Sequence, residues 1–236
     1  VKFCPLFSYS FKNAINEDSS EEDIKKFFND VTVTNDEYMD QKHLLKSDLI
    51  PEFLKSNPET LLIKSNRYHH LTEAILEKSS SKFISVVRHP CATINSWISN
   101  PLEFPENLDP LLHWKTGECR KKEPGEFWGF DDWKNVTLMH LRLSKKYPDR
   151  FFLVRYEDFK KEPVSCTEGL FEVFGLHFSK STLDFIRFSQ AQHSNHPRSV
   201  FRNPSQMADW RFELFPEISK RIYNELTGTD LEIFLG

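Results

Sequence analysis

Apolar and polar positions follow a helical period near the start of the chain. Ser20 and Asp23 have the spacing of a capping box, and large apolar residues follow at intervals of three and four. This pattern predicts a helix over residues 20–30. The next stretch, residues 31–47, is polar and predicts irregular structure, and a short helix is expected around Leu49–Leu54.

The pattern changes further along the chain. Thr60–Lys64 (TLLIK) and Lys82–Val87 (KFISVV) are short apolar runs that predict buried strands. Residues 67–78 follow the first run with apolar positions at helical spacing, and a second helix is expected to begin at Pro90, because proline is favoured in a first turn. Strands and helices that alternate in this way are typical of βαβ units with a parallel sheet.

The rest of the chain continues this alternation. Residues 100–128, rich in proline and aromatic residues, predict an ordered loop or lid with short helical pieces. Asp131–Lys146 predicts an amphipathic helix that ends before Pro148, and Phe151–Arg155 (FFLVR) predicts a third buried strand. The residues expected to face inward from that helix are Trp133, Val136, Leu138 and Leu141. Further helices are expected over residues 163–174, 179–190 and 216–227, with a polar loop over 191–209.

Together these elements predict the fold class. We expect an α/β fold of three layers, in which a central parallel sheet is flanked by helices. No internal repeat or low-complexity linker divides the chain, so a single domain is predicted over residues 1–236.

Charge and cysteine usage narrow the class of protein. The 236 residues carry 31 basic and 35 acidic side chains, a net charge of −4, so no strong basic field favours nucleic acid as a partner. Charged residues interrupt every long apolar run, so no membrane span is expected in this chain. The four cysteines are scattered without a C-x-x-C pair, which indicates free thiols in a reducing compartment and argues against a metal site.

Glycine is scarce. The chain has seven glycines, against an average usage of about 7%, and none lies among the first 116 residues. A Walker A loop or a G-x-G-x-x-G loop therefore cannot lie near the start, where such loops normally lie.

The stretch SVVRHPCATINSW brings candidate chemistry to the end of a predicted strand. Arg88 follows the strand, a helix begins at Pro90, and Ser96 lies two turns into that helix. Ligands of open α/β sheets bind at the carboxyl ends of strands, and a helix N-terminus there offers N–H groups and a positive dipole end to an anion. Arg88 adds a bidentate fork. The stretch predicts a phosphate site, and the alternative is that Arg88 pairs with a structural carboxylate.

Two other stretches follow predicted strands. In FFLVRYEDFKKEP, Tyr156 is suited to stacking on a base, and the acidic pair after it is suited to capping the turn or binding arginine. In LLIKSNRYHHL, Lys64 ends a strand, and His69 and His70 begin the next helix. Each histidine is a candidate general base, because imidazole titrates near neutral pH. The alternative is a pair of histidines at the edge of the core.

These stretches together resemble the sulfotransferase family. The resemblance rests on R-x-P-x-x-x-x-x-S after one strand, R-Y-E-D-x-x-x-x-P after a later strand, K-S-x-R between a strand and a helix, and Trp210 after a basic loop. It covers roughly residues 59–236, and the order of the motifs is more specific than any one of them. It implies the P-loop NTPase-like sulfotransferase fold. It also implies transfer of a sulfuryl group from 3′-phosphoadenosine 5′-phosphosulfate (PAPS) to a hydroxyl or amine.

The resemblance implies a nucleotide site. Arg88 and Ser96 match the pair that binds the 3′-phosphate, and Tyr156 matches a residue near the adenine. Arg198 or Arg202, in the late basic loop, would match the segment that closes over the same phosphate. The cytosolic branch of the family has a basic–basic–glycine run in that loop, and this chain departs from it.

The resemblance also implies where the transfer takes place. Lys64 matches a lysine near the transferred group. The cytosolic branch has a histidine base two residues later, where this chain has Asn66, so His69 and His70 are the nearest candidates for the base. No metal is required for this chemistry.

The start of the chain departs most from the family pattern. The family has a glycine-containing loop for the 5′-phosphosulfate after its first strand. The nearest counterpart in this chain is formed by Ser8, Tyr9, Ser10 and Lys12. The interpretation favoured by the sequence is instead that the first strand and its loop precede Val1. The scarcity of glycine thus excludes only a complete phosphate-binding apparatus in residues 1–236.

The expected function is therefore that of a PAPS-dependent sulfotransferase acting on a small-molecule or carbohydrate acceptor, with adenosine 3′,5′-bisphosphate as the product. The alternative is a non-catalytic nucleotide-binding or interaction protein on the same fold, which the departure at the start of the chain would suit. The expected compartment is the cytoplasm, or the Golgi lumen if an anchor precedes Val1. The aromatic residues between Trp114 and Trp133 either cap the core or line an acceptor pocket.

Overall fold

A computed structural model describes residues 1–41, 59–194, 201 and 209–236. The helix predicted at Leu49–Leu54 lies outside these residues, as does most of the loop predicted over 191–209. The described chain forms two compact units. The first comprises Val1–Phe83 and Lys121–Phe127, and the second comprises Ile84–Arg120 and Trp128–Gly236. The single domain over residues 1–236 stays a prediction.

The first unit begins its helices where the local signals predicted. Helix α1 (Glu21–Val33) has Ser20 as its N-cap, and the reciprocal hydrogen bonds of a capping box with Asp23 are both present. Helix α2 (Glu37–Asp40) follows, because the Asp36 side chain accepts a hydrogen bond from the Met39 N–H. The capping box is confirmed, whereas the irregular structure predicted for this part of residues 31–47 is wrong.

Two short strands pair in the first unit. Strand β1 (Lys2–Phe3) lies parallel to β2 (Ile63–Lys64), with Lys2 opposite Ile63 and Phe3 opposite Lys64. The run Thr60–Lys64 was predicted to be a buried strand, but only its last two residues pair, and Leu62 is 53% exposed. A 3₁₀ helix (His69–Leu71) then leads into α3 (Thr72–Lys78).

The first unit has its own apolar core. Residues from the loop after β1, from α1 and from the 3₁₀ helix before α3 pack together and exclude water. The buried members are Leu6, Ile15, Ile24, Phe27, Val31 and Leu71. This core holds the segment after β1 against the segment after β2.

The other two strands lie in the second unit, apart from Phe83, the first residue of one of them. Strand β3 (Phe83–Val87) pairs with β4 (Phe151–Arg155), close to the predicted bounds of both. On β3, Ser85 and Val87 are buried, whereas Val86 is 59% exposed. The apolar run therefore alternates between two faces, and the prediction that this strand is buried throughout is wrong. Helix α4 (Pro90–Ile98) begins at the predicted proline.

The remaining helices of the second unit largely agree with the predicted pattern. They are α5 (Pro110–His113), α6 (Gly129–Lys146), α7 (Tyr156–Lys161), α8 (Pro163–Val173), α9 (Lys180–Ala191), α10 (Trp210–Glu213) and α11 (Pro216–Leu226). The sequence missed α7 and α10, which are short. The buried stripe of α6 comprises Phe130, Thr137, His140 and Leu143. Leu138, predicted to face inward, is 42% exposed because it lies one position off this stripe.

The aromatic segment packs into the core of the second unit. Trp114 and Phe130 are buried in the same apolar cluster as residues of α4 and α11, and Trp128 and Trp133 pack against that cluster. These four residues cap the core, which is one of the two roles that the sequence left open for them.

Gly117 permits a close backbone contact within this unit. Its φ is +67°, and a Cβ at this position would lie 2.3 Å from the carbonyl oxygen of Trp128. We predict that Gly117→Ala lowers the free energy of unfolding by more than the ~1–2 kcal/mol that a left-handed backbone costs an L-residue. The matched control is Gly169→Ala in α8, where a Cβ meets nothing within 4 Å. Urea unfolding should show a slight gain for the control, and equal midpoints for the two variants would contradict this account.

Candidate functional site

Arg88 and Tyr156 lie together at the ends of two paired strands. Arg88 directly follows β3, and Tyr156 directly follows β4 as the first residue of α7. The guanidinium carbon of Arg88 lies 5.2 Å from the centre of the Tyr156 ring. Both side chains are partly exposed. The pairing of β3 with β4 therefore brings together two residues that the sequence assigned to the nucleotide.

Within the described residues, no ion pair neutralises the charge of Arg88. Among the ion pairs of the described residues, none includes Arg88. The nearby Asp158 lies 3.8 Å from Nε of Arg155 instead. The alternative, in which Arg88 pairs with a structural carboxylate, thus has no support among the described residues. A partly exposed guanidinium without a carboxylate partner is suited to an anionic ligand.

The N-terminus of α4 differs from the expectation in one respect. Pro90 has no N–H, and the Cys91 N–H donates to Nδ1 of His89 at 3.1 Å. These two positions therefore offer no free amide to an anion, so any N–H group that the helix supplies would come from later in its first turn. The dipole of the helix still favours negative charge at this end.

The peptide that joins Arg88 to His89 is held from two sides. The Trp133 indole Nε1–H donates to the Arg88 carbonyl at 3.2 Å, and the His89 N–H donates to Oε1 of Glu157 at 2.9 Å. Glu157 is one of the two acidic residues expected to cap a turn or bind arginine. It instead accepts a hydrogen bond from the backbone of another strand end, and so helps to fix the direction of Arg88.

His89 is a functional candidate that the sequence analysis did not single out. It is buried, its ring lies 4.5 Å from the ring of Trp210, and Nε2 lies 3.4 Å from the Tyr223 hydroxyl. Burial lowers the pKa of its imidazole, and the charge of Glu157 partly opposes this effect. The available signal was its position, because a polar residue directly before a first-turn proline occupies the N-cap.

Of the other three residues assigned to the nucleotide, only Ser96 lies among the described residues. Ser96 lies in α4 and is exposed, so its hydroxyl is accessible to solvent. Arg198 and Arg202 lie outside the described residues. Of the five residues predicted to bind the nucleotide, the structure thus brings Arg88 and Tyr156 into direct contact.

Lys64 lies at the end of β2 in the first unit. It is exposed, and its Nζ lies 4.9 Å from the centre of the Phe3 ring on β1. The Lys64 carbonyl accepts a hydrogen bond from the Cys4 N–H at 2.8 Å. The position of Lys64 at the carboxyl end of a parallel strand agrees with the place in which ligands of α/β folds are usually bound.

The loop after β1 is structured by its own contacts. The Ser10 hydroxyl donates to Oδ2 of Asp36 at 2.9 Å, and Lys12 pairs with Glu123 at 2.7 Å. Ser8 is buried, whereas Tyr9 is fully exposed. Two of the four residues nearest to a phosphosulfate loop therefore have carboxylate partners.

His69 and His70 share one aromatic partner. The His69 ring packs edge-on against the Phe127 ring, with 5.2 Å between the ring centres. The His70 ring stacks on the same Phe127 ring, with 5.8 Å between the centres. Nε2 of His70 lies 3.7 Å from Oε1 of Glu17. Both residues are partly exposed in the 3₁₀ helix before α3. This placement agrees with histidines at the edge of the core and leaves each ring partly accessible.

Residues 121–127 of the predicted lid belong to the first unit. Glu126 pairs with Arg67 at 2.7 Å, and the Gly125 carbonyl accepts a hydrogen bond from the Tyr68 N–H at 2.9 Å. The Arg67 guanidinium also lies 3.9 Å above the Phe7 ring. Arg67 thus joins the loop after β1 to this segment.

Three further observations concern the wider classes of site. Within the described residues, no group of three or more histidine, cysteine, aspartate or glutamate side chains is arranged to hold a metal ion. The four cysteines are free thiols, as predicted. None of the helices described is both long and apolar enough to cross a bilayer.

Comparison with known proteins identifies the family. A family model described as a sulfotransferase domain matches residues 8–226, and the chain therefore belongs to the sulfotransferase family. A search of curated protein sequences gave no match. The crystal structure of mouse sulfotransferase SULT7A1 complexed with PAP is similar to this chain, with 17% sequence identity and a TM-score of 0.52. The similarity covers 74% of this chain and 68% of that chain. Both the family prediction and the α/β sulfotransferase fold are confirmed.

Two ion pairs of residues 121–127 provide a matched test of the first unit. Arg67–Glu126 is largely buried, whereas Lys12–Glu123 is exposed, although both are 2.7 Å long. We predict that Glu126→Ala lowers the free energy of unfolding by about 1.5–3 kcal/mol, because it removes a charge-assisted hydrogen bond to a partly buried guanidinium. Glu123→Ala should cost at most about 1 kcal/mol. Chemical denaturation measures both, and the reverse order of the two losses would contradict the assignment.

Proposed function

We propose that the chain binds PAPS through Arg88 and Tyr156 and transfers its sulfuryl group to a hydroxyl or amine of a small-molecule or carbohydrate acceptor. The observation that carries the proposal is the contact of the Arg88 guanidinium, which has no ion pair among the described residues, with the Tyr156 ring at the ends of β3 and β4. Such a pair offers a fork for a phosphate beside a flat surface for a base. Membership of the sulfotransferase family supports this use of the pair.

Arg88 is proposed to bind the 3′-phosphate, with Ser96 as a hydroxyl donor to the same group. Tyr156 is proposed to lie near the adenine. Arg198 or Arg202 is proposed to contribute a second positive charge to the phosphate, in line with the family pattern of a basic loop before Trp210. The positive end of the α4 dipole adds to the attraction of a dianionic group.

The proposed reaction is an in-line transfer. The bond between sulfur and the bridging phosphate oxygen breaks, a bond from sulfur to the acceptor atom forms, and the acceptor proton passes to a base. By analogy with phosphoryl transfer, charge spreads over peripheral oxygens in a loose transition state. Lys64 is proposed to stabilise that charge, and His69 or His70 is proposed as the base. No metal is assigned a role.

A second candidate function is favoured by the loop after β1. Ser10 and Lys12 in this loop are engaged by carboxylates, and the loop contains no glycine. A non-catalytic nucleotide-binding or interaction protein on the same fold would have no need of a phosphosulfate loop. The cytoplasm is the proposed compartment, with the Golgi lumen as the alternative.

The nucleotide assignment is tested by comparing two ligands. Isothermal titration should show that the protein binds adenosine 3′,5′-bisphosphate more tightly than adenosine 5′-monophosphate, which lacks the 3′-phosphate. Arg88→Ala should weaken binding of the bisphosphate by about 2–5 kcal/mol, the scale for removing one partner of a buried charge pair. It should leave the affinity for the monophosphate nearly unchanged, so the preference disappears.

The matched control is Arg187→Ala, which removes an exposed arginine of α9. This variant should keep the preference for the bisphosphate. A preference that survives in Arg88→Ala would contradict the assignment of the 3′-phosphate to Arg88. Binding of PAPS without transfer to any member of a panel of alcohols, amines and carbohydrates would favour the non-catalytic alternative.

The base is located by single replacements. His69→Gln and His70→Gln keep a polar side chain but cannot accept a proton near neutral pH, so loss of the base should lower kcat by about 10²–10⁴. The affinity for the nucleotide should change little in either variant. Single-turnover transfer of labelled sulfate from PAPS measures the effect, once an acceptor is found. Full turnover in both variants would show that neither histidine is the base.

A further inference from the structure

We propose that His89, as a neutral imidazole, is a positioning residue for the nucleotide site and that its protonation weakens nucleotide binding. This inference rests on the proposed role of Arg88, the residue directly before it. His89 touches neither reacting atoms nor ligand in this account. It acts through the backbone of Arg88 and through the first turn of α4.

The hydrogen bonds of the imidazole fix its tautomer. Nδ1 accepts from the Cys91 N–H at 3.1 Å, so Nδ1 carries no proton. The single proton of the neutral ring therefore lies on Nε2, which faces the Tyr223 hydroxyl at 3.4 Å. In this form His89 is the N-cap of α4 and satisfies an amide that has no partner within the helix.

The ring also joins elements that are distant in sequence. Its face lies 4.5 Å from Trp210, the first residue of α10, and its edge faces Tyr223 of α11. The backbone of the same residue donates to Glu157 of α7. His89 thus connects the end of β3 to three helices. A side chain with these contacts leaves Arg88 little freedom to turn away from Tyr156.

A second proton would break this arrangement. The protonated ring would present an Nδ1–H donor to the Cys91 N–H, which is also a donor, so the cap would be lost. The charged and titratable groups that face the ring are Glu157 of α7, Arg88 at the end of β3, Arg211 of α10 and Tyr223 of α11, together with the Leu235 carbonyl near the C-terminus. Burial and the two arginines oppose the added proton, whereas Glu157 and the Leu235 carbonyl favour it.

The effect of pH follows from this balance. Because burial lowers the pKa of His89 below its usual value near 6.5, the neutral cap is intact at neutral pH. As the pH falls below about 6.5 and approaches that lowered pKa, the fraction of capped protein decreases. Nucleotide affinity should fall in the same range, because Arg88 loses its fixed backbone.

The test uses a replacement that keeps the cap and removes the titration. Asparagine is a favoured N-cap and has no titratable group, so His89→Asn should bind adenosine 3′,5′-bisphosphate within about threefold of wild type near pH 7.5. His89→Ala, which has no cap, should bind about tenfold more weakly. His177→Asn is the matched control, since His177 is exposed.

The pH dependence of Kd distinguishes this proposal from a merely structural role of His89, which would leave that dependence unchanged. The phosphates of the ligand also take up protons below about pH 6, but they do so equally in every variant. The ratio of the wild-type Kd to the His89→Asn Kd should therefore rise as the pH is lowered. His177→Asn should follow wild type throughout. A ratio that stays constant between about pH 7.5 and pH 5 would overturn the inference.

A second measurement needs no nucleotide. The unfolded chain takes up a proton on this histidine at a higher pH than the folded chain, so folding stability falls as the pH is lowered from about 6.5 toward the lowered pKa of the folded state. The Tm advantage of wild type over His89→Asn should shrink on acidification, and a difference independent of pH would overturn the inference. The proposed function fails separately if wild type binds no adenosine 3′,5′-bisphosphate near pH 7.5.

Discussion

In the second unit, the position of Arg88 and the start of α4 depend on the hydrogen bonds that hold the peptide between Arg88 and His89. An arginine at the end of a strand binds a phosphate best when its backbone is fixed and its charge is not already paired. Trp133 and Glu157 hold the two polar groups of this peptide, and the His89 ring caps the helix that follows. Arg88 itself has no ion-pair partner in the described part of the chain, so its charge remains for a ligand.

In the first unit, basic side chains form ion pairs with carboxylates of the same unit. Arg67 is paired with Glu126 and packs on Phe7, and Lys12 is paired with Glu123, so these cations are largely satisfied within the protein. Lys64, which is exposed at the end of β2, is the basic side chain that the family pattern assigns to the reaction. The contrast supports different roles for the basic residues of the two units. Arg67 and Lys12 stabilise a loop, whereas Arg88 and Lys64 are accessible to a substrate.

The features of the fold that depend on local signals could be predicted from the sequence. The features that depend on contacts between distant residues could not. Helices α1 and α4 begin where a capping box and a first-turn proline place them, because those signals act within one turn. Strand β1 has only two residues, and its identity comes from pairing with a strand about sixty residues later. In the site, Arg88 and Tyr156 were predictable as strand-end residues. The roles of His89 and Glu157 were not, because their hydrogen bond joins residues 68 positions apart.

The central claim is that Arg88 binds the 3′-phosphate of an adenosine bisphosphate, and phosphorus NMR tests it most directly. Titration of adenosine 3′,5′-bisphosphate reports the pKa of each phosphate separately, near 6 in free solution by comparison with other phosphate monoesters. The account predicts that wild-type protein lowers the pKa of the 3′-phosphate, because a guanidinium stabilises its dianion, and that Arg88→Ala does not. An unchanged 3′-phosphate pKa in the complex with wild type, or the same lowering in Arg88→Ala, would contradict it.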